Sequence, residues 1–209
     1  MVNTAFHFGD PTAVVQSIET GALLAELPPP LRLAVAYAPA RVRKAWTALL
    51  LLDHRLARAV AGASEPLLAQ LKLAWWRDRM RTAASQWPEG EPLLAALASF
   101  DGERAALEGL IDAWEGLIGD EAGEDETARL VKARASAVAA VARLSGCPVD
   151  ENALELLARR WTVPDISQPQ AVRLPRALRP LVILANLPRS SDAGPLALLR
   201  IVRLGLLGR

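Results

Sequence analysis

Apolar residues in this chain recur at three- and four-residue spacing, broken by proline, glycine and acidic clusters. No segment alternates apolar and polar positions in the manner of a half-buried strand. The pattern predicts a string of helices. The first covers Ala13–Glu26 and stops at Pro28-Pro29-Pro30, because a proline ring clashes with the preceding turn and donates no N–H. A short helix over Leu31–Ala38 follows. Pro39 then opens a long helix that runs to Ala61 and is closed by Gly62. Ser64 is a suitable N-cap for the next, with Glu65 and Pro66 in its first turn and an end near Ser85. Within it, Leu67, Leu68, Leu71 and Trp75 have the spacing of a buried stripe.

Beyond the break at Pro88-Glu89-Gly90, helices are expected over Pro92–Ser99 and Glu103–Ile118, then over Thr127–Leu144 after an acidic loop from Asp120 to Glu126. Gly146-Cys147-Pro148 reads as a turn, and Asp150 as the cap of a helix over Glu151–Thr162. A loop over Pro164–Pro169 separates that helix from one starting at Pro175 and ending near Leu187. Pro195 begins the last, which ends near Gly208. With no internal repeat and no low-complexity linker, the expectation is one all-α domain over residues 1–209, of about eight to ten helices. Residues 1–30 supply its N-terminal helix and proline break.

Composition supports the helical reading. Just over half of the residues are apolar, enough for a substantial core, and alanine, leucine and arginine outweigh the β-branched and aromatic types. The formal charge of +1 argues against broad electrostatic binding to nucleic acid. Its distribution is uneven: residues 89–128 carry one basic and twelve acidic side chains, while residues 129–209 carry thirteen basic and five acidic. A basic C-terminal third beside apolar runs suits an anionic surface or a diphosphate, and equally suits ordinary solvated helix faces. The single cysteine, Cys147, excludes an internal disulfide, and two distant histidines, His7 and His54, make a zinc site improbable. The start lacks the charged and apolar regions of a signal peptide, and no apolar run reaches about twenty residues. The expected location is the cytoplasm, at most peripheral to the inner membrane.

One stretch carries a resemblance. Ala48 to Leu52 form an apolar run that leads into Asp53 to Ala61, and a second helix follows with Leu73-Ala74-Trp75-Trp76-Arg77-Asp78. This wording resembles the squalene/phytoene synthase family. The spelling Ser64-Glu65-Pro66 ahead of Trp75-Trp76-Arg77 is most like a shorter branch that includes proteobacterial paralogues and a mitochondrial complex I assembly factor related to phytoene synthase. Weaker likeness extends through Leu107–Asp120, Ala128–Gly146, Leu174–Leu181 and Arg200–Arg209. The resemblance implies an isoprenoid-synthase-type helical bundle with a cavity between its helices. In active members, two aspartate-rich motifs face each other across that cavity and hold Mg²⁺ against a prenyl diphosphate. Aspartates at i and i+4 share a helix face and offer hard oxygen ligands, and the metal stabilises the departing diphosphate.

Here the first motif falls on Ala57-Arg58-Ala59-Val60-Ala61, which has no carboxylate, and Asp53 has Ala57 as its i+4 neighbour. The second region offers Arg159-Arg160-Trp161-Thr162-Val163-Pro164-Asp165, with one aspartate after a proline. The leading expectation is therefore a non-catalytic family member that needs no cofactor and binds a prenyl or other lipid chain, or scaffolds a membrane complex. Two alternatives stand beside it. One is a divergent head-to-head prenyltransferase that uses Mg²⁺, with a partner subunit supplying the aspartates. The other is a pure interaction module with a filled core. No catalytic and no metal residue is assigned.

The candidate binding residues are Arg43, Lys44 and Arg55, for a phosphate, and Trp76 and Arg77 (with Trp75), for a lipid cavity. For the first three the competing reading is a solvated or salt-bridged face. For the others it is a packed core, with Arg77 bonded to a neighbouring carboxylate. Asp120, Glu121, Glu124 and Asp125 form i,i+4 acidic pairs, but glycines place them in a loop and they suit the positive end of the next helix. His54 and Asp53 are adjacent and so point about 100° apart on a helix, which argues against an acid–base pair. Cys147, in a turn without a nearby base, is expected to be inert. The final helix, with Arg200 and Arg203 among leucines, fits either a membrane interface or a core position.

Overall fold

In the computed structural model, the described residues are 20–62, 65–119, 123–163 and 172–187. Among them there is no strand. Residues 20–26 are helical, and eight α-helices follow: α1 (Pro29–Ala36), α2 (Ala40–Ala61), α3 (Pro66–Arg81), α4 (Pro92–Leu97), α5 (Arg104–Glu115), α6 (Glu124–Leu144), α7 (Glu151–Thr162) and α8 (Arg179–Leu184). Short 3₁₀ turns at Ala84–Gln86, Ala98–Glu103 and Arg176–Leu178 join some of them. Residues 13–19 of the first expected helix and the whole of the one expected near 195–208 lie outside the described residues, as do Ser64 and the loop at 164–169.

The centre is α2. Every residue from Ala45 to Asp53 is buried, which takes more than one face and requires neighbours on all sides. The helix packs against α1, α3, α4, α5 and α6. Around it, α3 lies on α5, α5 on α6, and α6 on α7, while α1 meets α8. One apolar cluster runs through them, from Leu23 to Ala185. Small side chains let α6 come close to its neighbours: Ala137, Ala140 and Ala142 are fully buried beside Val138 and Val141.

Polar groups at the joints are paired. Buried Trp46 on α2 donates its Nε1–H to the carbonyl of Ala177 at 2.8 Å and so ties the centre to the turn before α8. Thr47 satisfies its hydroxyl on the carbonyl of Arg43. Asp150 caps α7 through the Ala153 N–H. The end of α6 closes with Gly146 at φ 65° and hydrogen bonds from Cys147 N–H to Ala142 and from Gly146 N–H to Arg143. A side chain there would meet the left-handed penalty that glycine avoids.

One expectation is overturned. The apolar stripe of α3 faces outward: Leu67 (60 %), Leu68 (46 %), Leu71 (59 %) and Trp75 (39 %) are exposed. The buried positions are Ala69, Leu73, Trp76 and Met80. These follow the same helical period about a third of a turn or more away from the expected face. The helix is apolar on both sides, so spacing alone did not select the inward one.

Candidate functional site

Asp53 is the one carboxylate in the buried stretch of α2, and its charge must be compensated. Arg134, buried on α6, does this with two parallel bonds: Nη2 to Oδ2 at 2.8 Å and Nε to Oδ1 at 3.1 Å. Trp114 on α5 adds its Nε1–H to Oδ1 at 2.9 Å. Arg134 also donates from Nη1 to the Thr162 hydroxyl at 3.1 Å, and Thr162 donates in turn to the carbonyl of Ala158. The indoles of Trp161 and Trp114 lie 4.2 and 5.3 Å from the guanidinium carbon. Four helices, α2, α5, α6 and α7, thus meet at one buried ion pair walled by two tryptophans.

The node adjoins the two segments on which the resemblance places the aspartate motifs. On α2, Ala57 to Ala61 follow Asp53 by one turn, and on α7, Arg159 to Thr162 end at the hydroxyl that Arg134 reaches. The donor set does not fit Mg²⁺. The first segment brings methyl, isopropyl and guanidinium groups, the second brings two arginines, an indole and a hydroxyl already in use, and Asp53 already accepts three N–H donors. No group of three potential metal ligands occurs among the described residues. Asp165 and residues 120–122 lie outside them.

The structure brings Arg55 and Trp76 to one groove and leaves Arg43, Lys44 and Arg77 out of its lining. Arg43 bonds to the carbonyl of Ala38, and Lys44 is exposed. Arg55 bridges Glu26 at 2.7 Å and Glu91 at 3.0 Å, and Glu91 is itself the cap of α4 through the Leu93 N–H. Arg77 pairs with Asp112 at 2.6 Å and with Glu115, and Arg81 pairs with Glu108, so charges lace α3 to α5. Trp76 is buried edge-to-face against Trp75, with ring centroids 4.9 Å apart. Arg55, Trp76 and Trp75 share a surface groove of about 640 Å³ between α2 and α3, with Arg58, Lys72, Leu71, Ala59 and Gly62. Of the remaining candidates, burial lowers the His54 imidazole pKa, with Arg58 adding to the effect, and Cys147 accepts only a long contact from Arg41 at 4.0 Å. Glu126 folds back on the N–H of Gly123 to cap α6, which gives the end of the acidic loop a structural job.

The Asp53–Arg134 node escaped the sequence reading, although a signal existed. An aspartate that interrupts the run Ala48–Leu52 ahead of Leu56 must find a buried partner, and Arg134 is the cation set among the small residues of α6.

Residues 31–121 match the family model for squalene/phytoene synthase. Over this segment, which is less than half of the chain, the protein is similar to the squalene/phytoene synthase family. The match spans α1 to α5 and ends ahead of α6 and α7, the helices that bring Arg134, Trp161 and Thr162. No curated protein and no solved structure matches the chain. The strand-free helical architecture of the described residues is consistent with the all-α isoprenoid-synthase fold that such a segment implies.

Proposed function

We propose that this chain is a non-catalytic squalene/phytoene synthase-like protein that works by binding, either a prenyl or other lipid chain or a membrane-complex partner, without ionising a prenyl diphosphate. The observation that carries the reading is the Arg134 guanidinium bonded across from Asp53 to Thr162. Ionisation of an allylic diphosphate needs cations held by opposed carboxylates. In this chain the space between α2 and α7 contains a cation of the protein's own, and it consumes the nearest carboxylate. Both charges are satisfied internally, so neither is free to grip a ligand.

The test is turnover. Purified full-length protein, incubated with farnesyl or geranylgeranyl diphosphate and Mg²⁺, is expected to release no diphosphate, form no condensed product and show no saturable Mg²⁺-dependent diphosphate binding. Condensed product from the protein alone would overturn the reading and establish the prenyltransferase alternative. Organic extraction of the same preparation, followed by mass spectrometry, separates lipid carriage from partner binding.

A further inference from the structure

The outer face of α3 is unpartnered among the described residues. Advancing 100° per residue, Leu67, Leu71, Trp75 and Leu68 fall within an arc of about 100°. They stand out from the surface as a ridge; Leu67 and Leu71 are each about 60 % exposed. Along one edge of this arc run Lys72 and Arg79, and Arg58 of α2 faces Lys72 across the groove. Among the described residues, neither Arg58 nor Lys72 is engaged in an ion pair. Arg79 lies 5.7 Å from the Trp75 ring with its buried Nε unpartnered. Among the described residues, no carboxylate lines the groove. The nearby acids are Glu65, at the start of the helix, and Asp78, past Trp75, so they bound the patch at its two ends.

We propose that the first three turns of α3, with the adjoining groove of Arg58 and Lys72, form a docking surface for an anionic phospholipid membrane. A convex ridge of leucines enters fluid acyl chains without a preformed slot. Trp75 pairs an apolar body with a polar N–H at the headgroup level, and the unpaired cations meet lipid phosphates there. No described helix is long and apolar enough to cross a membrane, so the contact lies along the interface. This surface is separate from the Asp53–Arg134 node and does not depend on catalytic silence. Turnover would defeat the reading above without touching this one.

The experiment is co-sedimentation of the full chain with vesicles of phosphatidylglycerol and phosphatidylcholine, against vesicles of phosphatidylcholine alone. Binding to the anionic vesicles is expected, weakening as salt rises. Leu71→Asp and Lys72→Glu are each expected to lower partitioning by at least about ten-fold. Because both side chains are exposed, their melting temperatures should match the parent's. No binding to anionic vesicles at low salt, or wild-type binding by Leu71→Asp, would overturn the proposal. So would a dimer in light scattering that Leu71→Asp dissociates, since that would assign the ridge to a second copy.

Discussion

Arg134→Met isolates the buried charge with little change in bulk. Methionine fills most of the volume of the arginine stem and leaves Asp53 with one remaining donor, Trp114 Nε1–H at 2.9 Å. Two charge-assisted bonds at 2.8 and 3.1 Å are lost, with the bond to Thr162 and the contacts to the Trp161 and Trp114 rings. Breaking a buried pair by removing one partner costs about 3–5 kcal/mol. At roughly 2–4 °C per kcal/mol for a chain of this size, the melting temperature falls by about 6–20 °C. The assay is thermal melting together with urea unfolding, where the midpoint moves and the slope stays constant. Asp53→Leu combined with Arg134→Met removes the stranded carboxylate as well. It should therefore be more stable than Arg134→Met alone, with a coupling energy of up to about 3 kcal/mol. If Arg134→Met melts within about 2 °C of the parent, the node does not hold the four helices together.

Two other sites give sharp expectations. Trp46→Phe keeps the ring in the core but strands the Ala177 carbonyl, so a loss of about 1–3 kcal/mol in urea unfolding is expected. Glu103 is held below its ordinary pKa of 4.5, chiefly by its paired bonds from Arg143 at 2.7 Å. Its folded pKa is depressed, so the contribution is present above the unfolded value and fades as pH falls through the folded one. Glu103→Gln should have a lower urea midpoint than the parent at neutral pH, and the two should converge as the pH falls below the ordinary value of 4.5.

What could be read from the sequence depended on whether local chemistry named its own partner. The helix at Glu151–Thr162 was legible to the residue because Asp150 bonds to a backbone N–H only three positions on. The long central helix was legible from Pro39 and Gly62 at its ends. In α3 the leucines and tryptophans stand nearly all round the helix, and Ala69, which is fully buried, carries no hydrophobic signal strong enough to mark the inner face. The node was illegible for a different reason. Asp53 and Arg134 lie 81 positions apart, and only the close approach of α2 and α6 brings them together. The family resemblance was carried by α2 and α3, within the stretch that the family model matches, whereas the arginine that occupies the space between α2 and α7 comes from beyond it.

The indole of Trp46 finds its acceptor 131 residues later, and α1 packs against α8. During synthesis the early helices therefore emerge with their inner surfaces open, and at about 5–20 residues per second they wait for many seconds before the strand of chain that seals them is made. A nascent chain halted short of Ala177 still lacks the acceptor of the Trp46 indole, so its central helix stays incompletely satisfied until that residue is made.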